Sequence, residues 1–167
     1  PTGHAIDLYN GRIYLANNNQ LIWTEPLRYG LYHYNNYIDF PERITIVGAT
    51  SNGIYVVADK TYFLGGDNPS DFQSDVVYQE GAIENTMYKL SHNYFNADDY
   101  YGLGVYWVSN KGLVRGQNNG NIIPLTENKY ALASYTDGAV SHVYEDGISK
   151  LITTLTNKGS NSAFKAE

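Results

Sequence analysis

Residues 53–66 read GIYVVADKTYFLGG, from Gly53 to Gly66. Two runs of β-branched and aromatic residues flank a polar break at Asp59-Lys60, and this pattern predicts two antiparallel strands joined by a tight turn. Related hairpins recur along the chain. They comprise residues 13–16 with 21–23, residues 105–108 with 112–114 and, in a weaker form, residues 140–143 with 147–148.

The hairpins recur at a spacing typical of repeat architectures. Aligned on Tyr14, Tyr55, Tyr106 and Ser141, the four copies lie 41, 51 and 35 residues apart. Short antiparallel strands repeated at roughly 40 to 50 residues are typical of β-propeller blades. The third and fourth copies also match without a gap, with Val105–Leu113 against Val140–Ile148.

This repeat predicts an all-β fold, namely a β-propeller or partial propeller built of four three- to four-stranded antiparallel meanders. We expect residues 1–167 to form a single domain, with blade-like units at about 4–25, 43–66, 86–117 and 130–156. Pro1 is not a natural translation start and four blades are few for a propeller, so we expect this domain to be a fragment of a larger chain.

Turn dipeptides and prolines predict where the strands begin and end. We expect turns at Asn10-Gly11, at Ser51-Asn52-Gly53 and at the two pairs Asp137-Gly138 and Asp146-Gly147. Extra strands are predicted at Asp75–Tyr78, as an outer fourth strand, and around Met87–Leu90. The connector 26–42 has a proline near each end and Gly30 inside it, which argues against a regular central strand.

The strand Arg12–Ala16 has apolar residues on both faces, as expected of a strand packed between two neighbouring sheets. Tyrosine is unusually frequent, with 17 residues, and many of them fall in the connector 26–42 and in residues 93–101. These tyrosines either stack on sugars or a neighbouring subunit, or pack down over the blade beneath them. The candidate contact residues are Tyr29, Tyr32, Tyr34, Tyr37, Tyr94, Tyr100 and Tyr101.

Composition narrows the classes of partner. The net charge is -6 and there is no run of Lys or Arg, so the electrostatic footprint of stable nucleic-acid binding is missing. With no cysteine, the chain has no disulfide and no thiolate ligand. No apolar run reaches the ~18 residues of a membrane helix, and we expect no membrane association.

We expect the protein not to be an enzyme, with no catalytic residue, cofactor or metal. The four histidines are dispersed, and Asp67–Asp71 fits an ordinary turn better than a calcium loop. No pair of carboxylates is singled out for glycoside hydrolysis, and there is neither a Gly-x-Ser-x-Gly elbow nor a phosphate loop.

Several short sequence segments, in their order along the chain, resemble the β-propeller portion of virion proteins from tailed bacteriophages, of the tail nozzle or hub type. They are Gly11–Ala16, Thr24-Glu25-Pro26, Phe40-Pro41-Glu42 before Ile44-Thr45, Tyr62-Phe63-Leu64 with Gly66 and Asp71-Phe72, Trp107-x-Ser109-x-x-Gly112-Leu113, and Leu125-Thr126-Glu127. Residues 81–86 depart from the resemblance, because a Pro-Gly-Thr-like corner is expected there.

The resemblance implies a non-enzymatic structural component of a virion tail, assembled in the host cytoplasm. It also implies that copies form a ring with neighbouring tail proteins, and that DNA passes through the ring without stable binding. The alternative function, from another class, is a carbohydrate- or receptor-binding β module in which the tyrosine-rich loops hold a glycan.

Overall fold

The computed structural model describes residues 2–91, 103–127, 129, 132 and 135–157. Within these residues the fold is all-β, with three four-stranded antiparallel sheets and one two-stranded ribbon. Sheet 1 contains β1 (Ala5–Tyr9), β2 (Arg12–Asn17), β3 (Gln20–Trp23) and β4 (Tyr37–Asp39). Sheet 2 contains β5 (Ile46–Ala49), β6 (Gly53–Val57), β7 (Thr61–Gly65) and β8 (Gln73–Tyr78).

Sheet 3 and the ribbon complete the described chain. Sheet 3 contains β9 (Tyr88–Ser91), β10 (Leu103–Ser109), β11 (Gly112–Gly116) and β12 (Ile122–Pro124), and the ribbon contains β13 (Asp137–Glu145) and β14 (Ile148–Thr156). Each of the three sheets is a meander in which consecutive strands are neighbours. Among the described residues there is one 3-10 turn, Pro69–Asp71, and it lies between β7 and β8.

Two of the expected dipeptide turns are confirmed by backbone angles. Asn10 and Gly11 have φ of 43° and 72°, and Asp146 and Gly147 have φ of 51° and 76°. Two successive residues with positive φ make the two-residue turn whose twist matches that of antiparallel strands. The expected extra strands are also present, as β8 and β9.

One local prediction is wrong. Asp137-Gly138 is not a turn, because both residues pair with β14 inside β13. Gly138 is needed there for space, since a Cβ on it would lie 2.7 Å from the Thr154 carbonyl oxygen and 2.8 Å from a Thr86 methyl. The connector 26–42 holds no central strand, as expected; its one short strand, β4, is the edge of sheet 1 and adds to β3 beyond Gly30 and before Pro41.

The ribbon differs from the three sheets. The last pair before the turn is Ser109 with Gly112 in sheet 3 and Glu145 with Ile148 in the ribbon. These structural pairs are 36 residues apart in the chain, whereas the ungapped sequence match has an offset of 35 residues. A shift of one residue exchanges the two faces of a strand, so the ungapped sequence match does not superpose the two hairpins. Where three or four strands were expected, the described residues of this unit form two.

Residues 81–86, where the sequence departs from the phage resemblance, form an ordered corner before β9. The Thr86 hydroxyl donates to the Ile83 carbonyl at 2.7 Å and accepts from the Val108 amide at 3.1 Å. Asn85 has a φ of 61°, in the left-handed region that Asn tolerates. This corner therefore links sheet 2 to sheet 3 without proline.

The sheets stack in chain order, and sheet 2 lies between the other two. Along β6, Ile54 and Val56 belong to a core shared with sheet 1, whereas Tyr55 and Val57 belong to a core shared with sheet 3. Because successive residues of a strand point to opposite faces, one strand supplies both cores. The ribbon packs on sheet 3, where His142 contacts Tyr88 with ring centroids 5.8 Å apart.

The first strands of the three sheets meet at Asp7. Its carboxylate in β1 accepts the Ala49 amide of β5 at 2.7 Å and lies 2.7 Å from the Lys89 ammonium of β9 through each oxygen. The Asp7 side chain is largely buried, so these charge-assisted bonds form away from bulk water. One side chain thus joins the first strands of all three sheets.

Candidate interaction surface

Sheet 1 presents one face to sheet 2 and the other to solvent. The cross-strand register places Ile6 opposite Leu15, Leu15 opposite Ile22, and Ile22 opposite Tyr37. Directly opposite residues share a face, so this row crosses all four strands on the solvent side. A second pair, Leu8 with Ile13, extends the row. We call these six residues the open face of sheet 1.

The open face corresponds to a covered face in the other two sheets. With Tyr14, Tyr55 and Tyr106 aligned, Leu15 corresponds to Val56 and Trp107. Val56 packs against sheet 1 and Trp107 packs against sheet 2, and both are fully buried. In each case the cover is the preceding sheet, and the described residues of this chain place no sheet over Leu15.

The sequence predicts β2 to be packed between two sheets, and the structure supplies one of them. Tyr14 and Ala16 are buried against sheet 2, whereas Ile13 and Leu15 are half-buried on the open face. An uncovered row of large apolar side chains across a sheet is unusual, and contiguous patches of this kind mark interaction sites.

A shallow apolar cavity of about 300 Å³ lies on this face. Its floor includes Ile13, Leu15 and Ile22, and the connector contributes Tyr29 and Tyr32 to its lining. Both tyrosines stay partly exposed, and the connector together with Gly3 covers the middle of the row only in part, since Leu15 and its neighbours are half-buried.

The structure brings together three of the seven candidate tyrosines. Tyr29 and Tyr32 line the cavity, and Tyr37 lies in the row of the open face. Tyr34 does not line this cavity and is 85% exposed. The remaining candidates, Tyr94, Tyr100 and Tyr101, lie outside the described residues.

A polar cleft of about 380 Å³ adjoins this face where sheet 1 meets the 3-10 turn of sheet 2. Glu25 is its charged centre, since it accepts the Asn36 side-chain amide at 3.0 Å and lies 3.8 Å from the Arg12 guanidinium. Trp23 lines the cleft on one side, and Asn68 and Ser70 line it on the other. Indole, carboxylate and amide groups are together able to hold a polyhydroxylated ligand.

Sequence reasoning missed this cleft, because its residues belong to β2, β3, the connector and the loop before β8. The signal available was the Trp23-Thr24-Glu25 succession at the end of a strand, of which the phage resemblance used only Thr24-Glu25, within Thr24-Glu25-Pro26. Nothing in the spacing of Glu25 and Asn68 places them side by side, since two different sheets supply them.

The histidines and acids make local contacts. The His4 ring lies 2.6 Å from the Ile44 carbonyl and the His142 ring 2.6 Å from the Ser149 hydroxyl, while His33 approaches Glu25 at 3.6 Å. His92 lies outside the described residues. Within the part of the chain that the structure describes, no group of three or more His, Cys, Asp or Glu is placed to hold a metal ion.

The described part of the chain also contains no helix with the length and apolarity to cross a membrane.

Burial raises the pKa of two repeat tyrosines, Tyr14 and Tyr55, above the ordinary value. The Tyr55 hydroxyl lies 2.5 Å from the Gln117 carbonyl and 3.1 Å from the Asn121 carbonyl, both in the loop before β12. The Tyr14 hydroxyl is buried and has no hydrogen-bond partner among the described residues. At equivalent positions of the repeat, therefore, the Tyr55 hydroxyl forms hydrogen bonds to loop carbonyls and the Tyr14 hydroxyl forms none among the described residues.

Comparison with known proteins leaves the family open. No protein-family model matches the chain, and no curated protein is significantly similar to it.

Proposed function

We propose that the chain is a non-enzymatic structural component of a phage virion tail, of the nozzle or hub type. In this proposal its sheets are blades of a propeller or partial propeller, and copies form part of a ring through which DNA passes. The observation that carries the proposal is the stack of three equivalent meanders whose first strands meet at Asp7.

A propeller-like arrangement of the sheets is supported by the convergence of their first strands, β1, β5 and β9. In a propeller the first strand of each blade lies near the central axis and the fourth lies outside. A cavity of about 230 Å³ is lined by residues of β1, of β5 and of the segment before β9, including Ala5, Ile46 and Met87. The fourth strands β4, β8 and β12 pair at the opposite edge of each sheet.

The phrases that resemble phage tail proteins occupy positions that build the sheets. Trp107 is in the core between sheets 2 and 3, and the Ser109 hydroxyl donates to the Gly112 carbonyl at 3.1 Å in the turn of sheet 3. The Thr126 hydroxyl accepts the Leu113 amide at 2.8 Å. These residues support a shared fold, and the phage tail role rests on their number and order.

Charge pairing fits a wall past which DNA slides. Lys89, Arg43 and Lys111 each lie within 3 Å of a carboxylate oxygen, from Asp7, Glu84 and Glu80 respectively. Positive charges engaged in this way, in a chain of net charge -6, give weak attraction for phosphate.

The role is tested on phage particles from a culture that expresses the protein. We expect peptides of this chain to remain with purified tails after high-salt washing, and antibody labelling to mark the tail tip. In parallel, fluorescence anisotropy with duplex DNA at low salt should show no saturable binding. Absence of the chain from washed particles, or tight DNA binding, would contradict the proposal.

The polar cleft favours a second candidate function, a carbohydrate- or receptor-binding module. Trp23 offers an indole, and Glu25 and Asn68 offer groups that hold hydroxyls. If this function is correct, a glycan array gives a hit that Glu25→Gln and Asn68→Ala weaken, as does the pair Tyr32→Ala and Tyr34→Ala. Val76→Ala, on the outer strand of sheet 2, is the matched control. An empty array, or binding that survives all of these substitutions, rules this candidate out.

A further inference from the structure

The loop between β7 and β8 forms the second wall of the polar cleft, and it is fastened to sheet 1. The Tyr9 hydroxyl donates to the Gly66 carbonyl at 2.8 Å, and the Asn10 side-chain amide donates to the Asp67 carbonyl at 3.1 Å. Phe72, at the end of the loop, packs on Tyr9 with ring centroids 6.4 Å apart. The second wall is therefore held against the first before a ligand binds, and a preformed site loses little conformational freedom on binding.

On the first wall, Asn36 of the connector positions the Glu25 carboxylate. Its side-chain amide donates to Glu25 Oε1 at 3.0 Å, and its backbone carbonyl accepts the Trp23 amide at 3.1 Å. The other carboxylate oxygen, Oε2, lies 3.8 Å from Arg12 Nη1, which is too long for a hydrogen bond. Because a carboxylate can accept about four hydrogen bonds, Glu25 keeps acceptor capacity for ligand hydroxyls.

On the second wall, Asn68 and Ser70 offer further polar atoms. Asn68 occupies the N-cap position of the 3-10 turn, yet its side chain makes no capping hydrogen bond, so its amide keeps a donor and an acceptor for a ligand. The Ser70 hydroxyl donates to Asp71 Oδ1 at 3.1 Å, and its oxygen can still accept. The two walls together provide both acceptors and a donor, as a ligand hydroxyl requires, since each hydroxyl both donates and accepts.

Trp23 gives the cleft an apolar surface. It packs on Tyr14 with ring centroids 6.4 Å apart and stays partly exposed where it lines the cleft. A sugar ring has faces of C–H groups that pack on aromatic rings, and hydroxyls at its edge that need hydrogen bonds. An indole between two polar walls meets both needs, and a volume of about 380 Å³ suits a short saccharide.

Charge in the cleft favours a ligand without charge. Among the described residues that line it, Arg12 and Glu25 carry one charge of each sign. Arg12 also donates to the Thr24 carbonyl at 2.9 Å, so its cation is already engaged. A ligand carboxylate would approach Glu25 on one wall and a loop containing Asp67 and Asp71 on the other, and a ligand ammonium would approach Arg12.

We propose that the polar cleft binds a neutral saccharide. Glu25 and Asn68 hold its hydroxyls from opposite walls, and Trp23 packs on the face of a sugar ring. This inference deepens the carbohydrate-binding candidate described above and rests on it, and it is independent of the role in a phage tail.

Tryptophan fluorescence tests the inference on the full chain. The chain has two tryptophans, and Trp107 is fully buried between sheets 2 and 3, so a change on addition of a sugar reports on Trp23. The probes are the methyl glycosides of galactose, glucose and mannose, with those of galacturonic acid and glucosamine as their charged counterparts. At neutral pH and millimolar sugar, we expect a saturable change with a neutral glycoside and several-fold weaker binding of its charged counterpart.

Substitutions place the binding in the cleft. Glu25→Gln should weaken binding of the neutral glycoside about tenfold and Asn68→Ala about fivefold, from the loss of hydrogen bonds to a charged and a neutral group respectively. Glu145→Gln, on the exposed end of the ribbon, is the matched control and should bind as the unsubstituted chain does. Asn68 is exposed and caps nothing, so Asn68→Ala tests the site even if Glu25→Gln fails to fold.

Two kinds of result overturn the inference. Tighter binding of the galacturonide or the glucosaminide would show that the ligand is charged, and the carbohydrate-binding candidate itself would stand. Binding of no sugar, or binding that Asn68→Ala leaves unchanged, would show that the cleft holds no neutral saccharide, and the glycan array then decides whether the carbohydrate-binding candidate also fails. None of these results bears on whether the chain is found in phage tails, which the particle experiment decides separately.

Discussion

Sheets 1 and 2 have the same strand order and the same cross-strand rows, yet they differ in what covers them. Val47 in sheet 2 is fully buried, whereas Ile6, its counterpart in sheet 1, is 58% exposed. Both residues are aliphatic, and both lie opposite the second strand of their sheet. The difference shows that local sequence builds the meander, whereas the neighbouring sheet decides whether its apolar face is buried.

Burial has an energetic consequence for each sheet. Fully burying an aliphatic side chain contributes about 1.5–3 kcal/mol, so sheet 2 gains stability from both faces. Sheet 1 gains it from one face within this chain. The apolar area left on the open face is therefore available for association, and substitutions at paired positions of the two sheets separate folding from association.

The largest effect is expected from a charge placed in the covered sheet. Val47→Asp buries an unpaired carboxylate, which we expect to cost more than about 4 kcal/mol and to unfold the chain at room temperature. Ile6→Asp, at the corresponding exposed position, is expected to change the free energy of unfolding by less than about 1 kcal/mol. Urea denaturation followed by circular dichroism measures both, and equal losses would contradict the difference between the sheets.

The next largest effect concerns Asp7, which joins the first strands of the three sheets. Asp7→Asn removes the charge that pairs with Lys89 and weakens the bond from the Ala49 amide. We expect a loss of about 2 kcal/mol, in the range for hydrogen bonds to charged groups. Combining it with Lys89→Met, which removes the stranded cation, should recover part of that loss. An unchanged urea midpoint for Asp7→Asn would show that the first strands are held together without this carboxylate.

Alkaline pH is expected to weaken the fold through the buried repeat tyrosines. Burial raises the pKa of Tyr14 and Tyr55 in the folded state above the ordinary value of about 10, and unfolding restores it. Stability from each group is therefore complete below about pH 10 and falls above it, by about 1.4 kcal/mol per pH unit. Thermal melts between about pH 8 and pH 11 should show the effect as a melting temperature that falls above pH 10. A midpoint that stays constant above pH 10 would contradict it.

The smallest expected changes in the free energy of unfolding come from removing the hydroxyl groups of Tyr14 and Tyr55. Tyr55→Phe removes the donor that serves two loop carbonyls, so we expect it to cost about 1 kcal/mol. Tyr14→Phe removes a buried hydroxyl that has no partner among the described residues, so it should be neutral or slightly stabilising. The two free energies of unfolding, measured side by side in urea, test this order. The reverse order would mean that the Tyr14 hydroxyl is satisfied and the loop contact of Tyr55 is weak.

Much of the local fold could be predicted from short-range signals. Asn10-Gly11 and Asp146-Gly147 favour positive φ, and both make the expected turns. The two apolar runs of residues 53–66 also predict a hairpin, and they form the paired strands β6 and β7. These signals work because they depend on residues that are adjacent or opposite in one hairpin.

The errors arise where packing between sheets overrides local preference. Gly138 resembles a turn residue but lies in a strand, because a neighbouring strand and Thr86 leave no room for a Cβ. The connector 26–42 lacks a central strand, as its prolines predict, and its short edge strand β4 forms because β3 offers an unpaired edge. The polar cleft around Glu25 combines residues of two sheets, and hairpin patterns carry no information about which sheets become neighbours.

The solution mass of the chain as a function of concentration tests the central claim, that the open face of sheet 1 is an interface. Sedimentation equilibrium up to about 1 mM should give an average mass that rises above 18.7 kDa, since association at this level requires only about 4 kcal/mol. Ile6→Asp with Tyr37→Asp should return the mass to 18.7 kDa, and Val76→Asp should not. A constant mass of 18.7 kDa for the unsubstituted chain, or loss of association in the Val76→Asp control, would contradict the account.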